Sequence, residues 1–402
     1  MMMALISRRM GPLQLQNQER LFIWSREMHY WRAPVPEMWI DILQKVKAAG
    51  IPQCKGRNFE RLFEIAKEVG LYVLFRPGPY VNAKATASRF PGWVTTGAYG
   101  RLRNNDTRHT DAWTPYMNRM SQIIAKHQVT NGGNVFIYQI KNEFGNQWLD
   151  RSCDLSECTG TNGNVPDFTT FEYYTSFQDV ALTQPSFLAE FQGGSYLPRG
   201  GPKGGCVNNT GPDWVNVFYR HNVAQNIAAA NVYMAFGGTT GIPFPGVGTS
   251  YDYSAPISET RFVSDKYSET KLFAQFLRVA RDLTKVDRVN NGTTYASNLA
   301  IMTTELRNSD TNAAFYTAHA LSLSTDRSPF KLDVSTSAGR LNIPQNGGDI
   351  AVNRRLLSLI FSVGREKLTY STAEVLTASI TASQSFSSGC RLAKVESSSW
   401  TV

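Results

Sequence analysis

The sequence has no long apolar run, few histidines and no cluster of basic residues. No stretch approaches the roughly 18 apolar residues of a membrane-spanning helix, so we expect no membrane association. The five histidines and five cysteines are scattered without a C-x-x-C pair, so no metal or other cofactor is implied, although Cys153 and Cys158 could bridge each other. The net charge of +9 comes from 41 basic and 32 acidic residues without a basic run, so we expect no nucleic-acid partner.

The first residues lack the features of a secretory signal. Residues 1–19 contain only a short apolar run, which includes Ala4 to Ile6, where a secretory apolar region has roughly 7–15. We therefore interpret them as an N-terminal tail. Glycosylation sequons, which favour secretion weakly, occur at Asn105, Asn208 and Asn291.

Residues 20 to about 285 carry the pattern of β/α units, in which short apolar runs alternate with amphipathic stretches. The candidate strands are Leu21–Trp24, Tyr72–Phe75, Val135–Ile140, Phe187–Phe191 and Val232–Phe236. Helical patterns cover residues 36–50, 58–70, 110–128, 170–184, 213–230 and 266–283. The sequence therefore predicts an α/β fold here.

The pattern changes after residue 290. Residues 330–344 contain two alternating runs around a Ser-Ala-Gly turn, and residues 367–377 alternate again. This predicts the start of an all-β domain over residues 290–383. Residues 384–402 show no period, and we predict that they form a disordered tail.

Two candidate strands end in a carboxylate. FIYQIKNEFG (136–145) places Asn142 and Glu143 after an apolar strand, and SFLAEFQGG (186–194) places Glu190 before a glycine pair. Two carboxylates about 5–5.5 Å apart at one barrel mouth can hydrolyse a glycoside with retention. For either glutamate alone, a strand-end residue that pairs with a loop Arg or Lys is the simpler interpretation.

Aromatic and amide side chains gather at the same strand ends, which favours a sugar site. Such sites combine flat apolar faces with fixed hydrogen-bonding groups. The candidates are Tyr80, Asn82, Asn142, Phe144, Phe191, Gln192, Tyr251 and Tyr253. Among them, we prefer core packing as the role of Tyr251.

Longer segments identify a family. They are HYWRAPVPEMWIDILQKVKAAG (29–50), LFRPGPYVNAKA (74–85), VTNGGNVFIYQIKNEFG (129–145), FLAEFQGG (187–194), NVYMAFGGTT (231–240) and TSYDYSAPISE (249–259). In this order they resemble the β-galactosidases of glycoside hydrolase family 35, especially the large secreted fungal members. TTELRNSDTNAAFY (303–316) extends the resemblance into the β-domain.

The resemblance implies a fold and a reaction. The fold is a (β/α)8 TIM-type barrel over residues 20–285, and the enzyme is a retaining β-galactosidase that removes terminal non-reducing β-D-galactose by double displacement. Glu190 matches the nucleophile and Glu143 the acid/base. The family pattern also implies a secreted glycoprotein that is monomeric, has no cofactor and acts on a β-galactoside oligosaccharide or polysaccharide.

The same resemblance assigns the sugar contacts. Asn142 matches the residue that holds the sugar 2-hydroxyl, and Asn82 and Ala83 match galactose-contacting positions. Tyr253 matches a tyrosine that lines the pocket. Tyr80, at the end of the Arg-Pro-Gly-Pro-Tyr motif, joins them as a predicted substrate-binding residue.

Two lysines depart from the family pattern. Lys84, at the predicted substrate site, replaces a glutamate that accepts bonds from galactose hydroxyls, and an ammonium has no acceptor. Lys141 replaces an acidic residue on the strand face of Glu143. A cation near Glu143 would lower the pKa of an acid that must be protonated at rest. The alternative, that both lysines reach solvent or pair locally, is equally plausible.

The chain is too short for a complete barrel. A barrel of about 250 residues uses about 31 per β/α unit, so the three units between the family's fourth and seventh strands need roughly 94. Glu143 and Glu190 lie only 47 apart, and no apolar run separates the helical patterns at 36–50 and 58–70. We therefore predict an incomplete barrel with exposed strand edges and poor solubility.

Two other functions remain open at this point. One is a non-catalytic remnant that binds sugar weakly or not at all, which the gaps and Lys84 favour. The other is a xylanase-like or cellulase-like barrel, which is weaker because Arg-Pro-Gly-Pro-Tyr and Thr-Ser-Tyr-Asp-Tyr have no reason to occur together there.

Overall fold

The computed structural model describes most of the first 320 residues and short strands beyond them. The described ranges are 13–14, 20–50, 59–81, 83, 85, 90–103, 106–140, 174–175, 185–201, 207, 210–239, 246–320, 330–336, 339–345, 356–363, 366–371, 379–380, 385–386 and 398–401. In these ranges no helix is both long and apolar enough to span a membrane.

Helices and short strands alternate through the first 285 residues. The strands and helices are β1 (Leu13–Gln14), β2 (Arg20–Leu21), β3 (Ile23–Arg26), α1 (Trp39–Ala48), α2 (Phe59–Val69), β4 (Val73–Phe75), α3 (Thr107–His127), β5 (Val135–Tyr138), β6 (Phe187–Gln192), α4 (Pro212–Ala224), β7 (Ala229–Tyr233), β8 (Gly238–Thr239), β9 (Ser250–Tyr251) and α5 (Asp265–Val279). Short 3₁₀ turns cover Tyr30–Arg32, Pro36–Met38, Gly92–Thr96, Val129–Asn131 and Arg281–Lys285. The predicted α/β fold is confirmed.

The parallel strands form two separate sheets. β3, β7 and β6 pair in that order, and β4 pairs with β5. In the part of the chain that the structure describes, β3 does not pair with β4, and β5 does not pair with β6. These are the two places where the sequence predicted missing strands, and the described strands do not close a barrel.

The helices are held on the strands by apolar stripes. In α1 the buried residues Trp39, Ile42, Leu43 and Val46 follow the spacing of one helix face. β7 is buried at all five positions, as expected of a central parallel strand covered on both faces. One contiguous core joins these elements and continues into the first strands of the β-domain.

An antiparallel sheet follows the last helix. The remaining strands are β10 (Val286–Gly292), β11 (Ile301–Asn308), β12 (Ala314–Ala320), β13 (Phe330–Thr336), β14 (Gly339–Gln345), β15 (Leu356–Val363), β16 (Glu366–Ser371), β17 (Ser379–Ile380), β18 (Ser385–Phe386) and β19 (Ser398–Thr401). Six of them form one sheet in the order β10-β11-β12-β15-β16-β19. β13 and β14 form the predicted hairpin, with Thr336 opposite Gly339.

Three predicted boundaries need correction or fall outside the described residues. The helix predicted over residues 213–230 ends at Ala224, because the alanine-rich stretch that follows forms β7. Two short strands, β18 and β19, are described within the predicted disordered tail, and β19 pairs with the edge of β16. Of the helix predicted at 170–184, only residues 174–175 are described.

Candidate active site

Glu190 lies at an irregular point of β6. Leu188 pairs with Ala230 and Phe191 with Val232, so two residues of β6 face the single residue Asn231 of β7. The Asn231 side chain donates to the carbonyl of Ala189 at 3.2 Å, so a side chain caps a backbone acceptor within this bulge. Bulges re-aim side chains and occur beside active sites.

Arg76 holds the carboxylate of Glu190. It follows β4, and its Nη1 donates to Glu190 Oε2 at 2.7 Å while Nη2 donates to the carbonyl of Ala189 at 2.9 Å. The guanidinium is 3% exposed and the Glu190 side chain 18% exposed. The guanidinium fork therefore fixes both the backbone and the carboxylate at this point, and leaves Glu190 in contact with solvent.

A second glutamate shares the same arginine. Glu27 follows β3, and its Oε2 lies 3.3 Å from Arg76 Nη2 and accepts a bond from Asn231 Nδ2 at 3.1 Å. His29 Nε2 lies 3.5 Å from its other oxygen. Burial alone would lower the pKa of Arg76, but the charges of Glu27 and Glu190 raise it above its ordinary value.

Glu27 was missed from the sequence. The strand-end rule that found Glu190 applies equally to Glu27, which comes directly after β3. The predicted strand ended at Trp24, so Glu27 fell outside it. A strand boundary two residues later would have brought this carboxylate into the site.

Three tyrosines cover the other side of the site. The hydroxyls of Tyr233 and Tyr251 lie 2.7 Å apart, and the ring of Tyr253 packs 4.7 Å from that of Tyr233. Burial raises the pKa of both Tyr233 and Tyr251, and the negative charge of Glu190 adds to the effect. The buried Tyr251 also lies under the guanidinium of Arg32, in agreement with the predicted core role.

The glycine pair after Glu190 permits close packing against this tyrosine segment. A Cβ on Gly194 would lie 1.9 Å from the carbonyl of Tyr253, so no other residue fits without a backbone shift. Tyr253 itself has a left-handed backbone, with φ of 57°, and its hydroxyl accepts a bond from Gln192. The end of β6 and the segment around Tyr253 are therefore fitted to one another.

A buried lysine joins the same two segments. Lys266, in the first turn of α5, donates to the carbonyl of Gly193 and lies 3.4 Å from the hydroxyl of Ser254. Burial lowers the pKa of Lys266 well below its ordinary value, and the charge of Arg26 acts in the same direction. Lys266 therefore ties the strand end that carries Glu190 to the tyrosine segment.

The other predicted substrate residues are only partly described. Tyr80 is half-buried beneath the guanidinium of Arg103, which lies 3.7 Å from its ring centroid. Ala83 is buried, and its carbonyl accepts a bond from Arg32 Nη2 at 2.6 Å. The remaining predicted residues lie outside the described ranges; these are Asn82, Lys84, Asn142 and Glu143. The spacing of Glu143 and Glu190 therefore stays a prediction.

Family models match most of the chain. The model described as Glycosyl hydrolases family 35 matches residues 53–156 and 147–277. The model described as Beta-galactosidase, domain 2 matches residues 283–386. The change from one model to the other coincides with the change from helices and parallel strands to the antiparallel sheet at β10.

Curated relatives match over nearly the whole chain. The probable beta-galactosidase B of Sclerotinia sclerotiorum is 43% identical over 453 residues, which cover 90% of this chain and 45% of the relative. That of Aspergillus niger is 43% identical over 450 residues, which cover 89% and 44%. The chain thus spans less than half the length of these relatives.

The alignment also contains an internal deficit. Since 90% of 402 residues is about 362, the 453 aligned positions include about 91 at which this chain has no residue. This total agrees with the prediction that the chain lacks internal segments.

Solved structures are more distant. The maltogenic alpha-amylase AmyB from Thermotoga neapolitana has a TM-score of 0.46 at 10% identity, covering 84% of this chain and 98% of that one. A Faecalibacterium prausnitzii beta-glucuronidase has a TM-score of 0.39 at 11% identity, covering 67% and 51%.

Proposed function

The chain belongs to the glycosyl hydrolases family 35, and we propose that it hydrolyses terminal non-reducing β-D-galactosyl residues with retention. The observation that carries this proposal is the carboxylate of Glu190, held by Arg76 at the bulge of β6 and still partly exposed to solvent. A fixed, reachable carboxylate at a parallel strand end suits the nucleophile of a retaining glycosidase. The name of the relatives, probable beta-galactosidase B, supports galactose as the sugar.

The proposed reaction has two steps. First, a Glu190 oxygen attacks the anomeric carbon while Glu143 protonates the leaving oxygen, so the glycosidic bond breaks and a galactosyl ester of Glu190 forms. Then Glu143 takes a proton from water, the water oxygen attacks the anomeric carbon, and galactose leaves. Arg76 stabilises the negative charge that returns to Glu190 in this second step.

The finer assignments are part of the same proposal. The β/α part is an incomplete (β/α)8 barrel whose mouth binds a β-galactoside, with Asn142 on the 2-hydroxyl. The other sugar-contacting positions are Tyr80, Asn82, Ala83, Lys84 and Tyr253. The family pattern further implies a secreted, glycosylated monomer.

The test compares matched glutamate variants on a chromogenic β-galactoside. Glu190→Gln keeps the size of the side chain but removes the attacking charge, so its rate should fall to the buffer background. Glu64→Gln changes an exposed glutamate on α2 and should keep the wild-type rate. Equal rates in wild type and Glu190→Gln would contradict the proposal.

A second measurement tests the role of Glu190 directly. Glu190→Gly leaves space for an added small anion, so azide should restore cleavage and give a galactosyl azide of inverted, α configuration. A β-galactosyl azide, or no azide product in a variant that remains folded, would show that Glu190 is not the nucleophile.

One observation favours the non-catalytic alternative. β5, which precedes Glu143, and β6, which carries Glu190, belong to separate sheets in the described part of the chain. Retention by this pair needs carboxyl groups about 5–5.5 Å apart. If the wild-type chain cleaves no faster than Glu190→Gln, the remnant interpretation is the better one.

A further inference from the structure

A cavity of about 300 Å³ lies next to the Arg-Pro-Gly-Pro segment and shares Arg76 with the candidate active site. Its walls come from the 3₁₀ turn Tyr30–Arg32, from Arg76 to Val81, from the turn Gly92–Thr96 and from α3. The hydroxyl of Tyr116 on α3 donates to the carbonyl of Pro77 at 2.8 Å, so two of these walls are tied together. The volume falls at the lower end of the range for small-molecule sites.

The cavity lies at the gap in the described parallel strands. β3 and β4 are not paired in the described structure, and the cavity lies between the segments that follow these two strands. A strand between them would send its own end into this space.

The lining is aromatic and poor in acceptors. Six aromatic side chains and three prolines form most of it; the aromatic ones are Tyr30, Trp31, Phe90, Trp93, Trp113 and Tyr116. Among the described lining residues there is no carboxylate and no side-chain amide. Sugar hydroxyls must donate as well as accept hydrogen bonds, so this wall suits an aromatic ring far better than a sugar.

The charge of the cavity wall points to a neutral ligand. Arg76 is its only described lysine or arginine, and the guanidinium already faces the carboxylates of Glu27 and Glu190. An anionic ligand would find the charge of Arg76 already balanced by two glutamates, and the negative charges of those glutamates would repel it. A neutral ring with one hydroxyl avoids this cost.

The cavity also has a mouth and a buried floor. Trp93 is 51% exposed and Tyr116 41% exposed, whereas His109 is buried and packs edge-on against Phe90. Exposed aromatic residues around an apolar depression are typical of ligand sites. For scale, an apolar cavity of about 150 Å³ is enough to bind benzene.

We propose that this cavity binds a neutral aromatic compound of one or two fused rings that bears a hydroxyl group. The rings pack against the tryptophan and proline walls, and the hydroxyl group points to the mouth at Trp93 and Tyr116. Arg76 belongs both to this cavity wall and to the candidate active site, but the proposed binding does not require Glu190 to be catalytic.

The experiment is isothermal titration calorimetry of the full chain with two aromatic probes, 4-methylphenol and 2-naphthol. Methyl β-D-galactoside serves as the sugar probe. Ala112→Leu, on α3 in the cavity wall, fills the cavity with a residue that helices tolerate. Trp93→Ala removes an aromatic wall at an exposed position. Tyr72→Ala is the matched control, since Tyr72 is equally exposed but outside the lining.

Both aromatic probes should bind once per chain, at least tenfold more weakly in Ala112→Leu and Trp93→Ala, and within twofold of wild type in Tyr72→Ala. Glu190→Gln should bind them unchanged, which separates this inference from the proposed function. Three results would overturn it: no saturable heat with either aromatic probe, affinities unaffected by both cavity variants, or competition by methyl β-D-galactoside.

Discussion

Replacing Arg76 should lower the free energy of unfolding strongly. Its guanidinium is buried between two glutamates and a backbone carbonyl, and both glutamate side chains are largely covered by protein. Buried ion pairs add little net stability over an apolar core, but removing one partner leaves charges without compensation. The free energy of unfolding should therefore respond asymmetrically to single and double changes here.

We expect Arg76→Met to lower the free energy of unfolding by roughly 3–5 kcal/mol, measured by urea unfolding. Adding Glu27→Gln to this variant removes one uncompensated charge and should recover part of the loss. Arg76→Lys keeps the charge but not the two-pronged fork, so its loss should be smaller. A change below about 1 kcal/mol in Arg76→Met would mean that solvent already screens both glutamates.

Single residues of the site were predictable only where a local pattern exposed them. Glu190 follows from one rule, a carboxylate at the end of an apolar strand. Arg76 was noticed as part of a motif, but its partners Glu27, which follows β3, and Glu190, which lies in β6, are far away along the chain. Nothing local to position 76 encodes that arrangement.

At the scale of elements, helix patterns were more reliable than strand boundaries. The cores of five predicted helices correspond to α1 through α5, because a periodic apolar face and a capping residue are local signals. The error at β7 has a clear cause. Its alanines favour a helix by propensity, but burial between β3 and β6 decides for a strand.

The end of β3 shows the same limit. The predicted strand stopped at Trp24, yet Arg26 is the last residue of β3 and is buried. Its guanidinium donates to Thr270 at 2.9 Å and to the carbonyl of Met234 at 3.1 Å. Partners more than 200 residues away turned a surface-like residue into a core one.

The first turn of α3 allows a pH prediction. Asp106 is the N-cap and accepts from the backbone N–H of Arg108 at 3.0 Å. The side-chain hydrogen bond from Arg108 lowers the pKa of Asp106 to about 2, from an ordinary 3.8. A depressed carboxyl pKa stabilises the fold above the unfolded-state pKa, and this stability is lost as pH falls through the folded-state pKa.

We therefore expect the thermal midpoints of wild type and Asp106→Asn to differ by a constant amount above about pH 5 and to converge between about pH 4 and 2. Asparagine is a cap of similar quality, so the comparison isolates the charge. Asp111→Asn, on the same helix but outside the cap, controls for the loss of one acidic group. A difference that persists unchanged down to pH 2 would contradict this assignment.

At the scale of the whole molecule, the gaps leave apolar groups at the edge of the β4–β5 sheet. Tyr72 and Ile140, which flank the two strands, are each more than half exposed, and the Tyr72 ring meets the Phe136 ring edge to face. A two-stranded sheet is marginal by itself in water. If the chain is poorly soluble, as predicted, we expect the cause at this sheet, since no further described strand pairs with β4 or β5.

The junction between the two parts of the chain shows whether they fold as one unit. The main core includes Phe273 and Phe276 of α5 together with Leu306 and Phe315 of the antiparallel sheet. The rings of Phe276 and Phe315 meet edge to face at 6.3 Å, and Phe315 is 0% exposed. A shared core of this kind should make unfolding of the helices and of the sheet a single transition.

Phe315→Ala tests this directly. Its cavity should lower the free energy of unfolding by about 3–5 kcal/mol, and the loss should appear in the urea midpoint of the helical circular-dichroism signal, although Phe315 lies in a strand. Phe262→Ala, at a position 77% exposed, should change the same midpoint very little. If the helical signal kept its midpoint while a separate transition moved, the β/α part would fold independently of the sheet. Because the main core spans both parts, we expect the shift to appear in every probe at the same urea concentration.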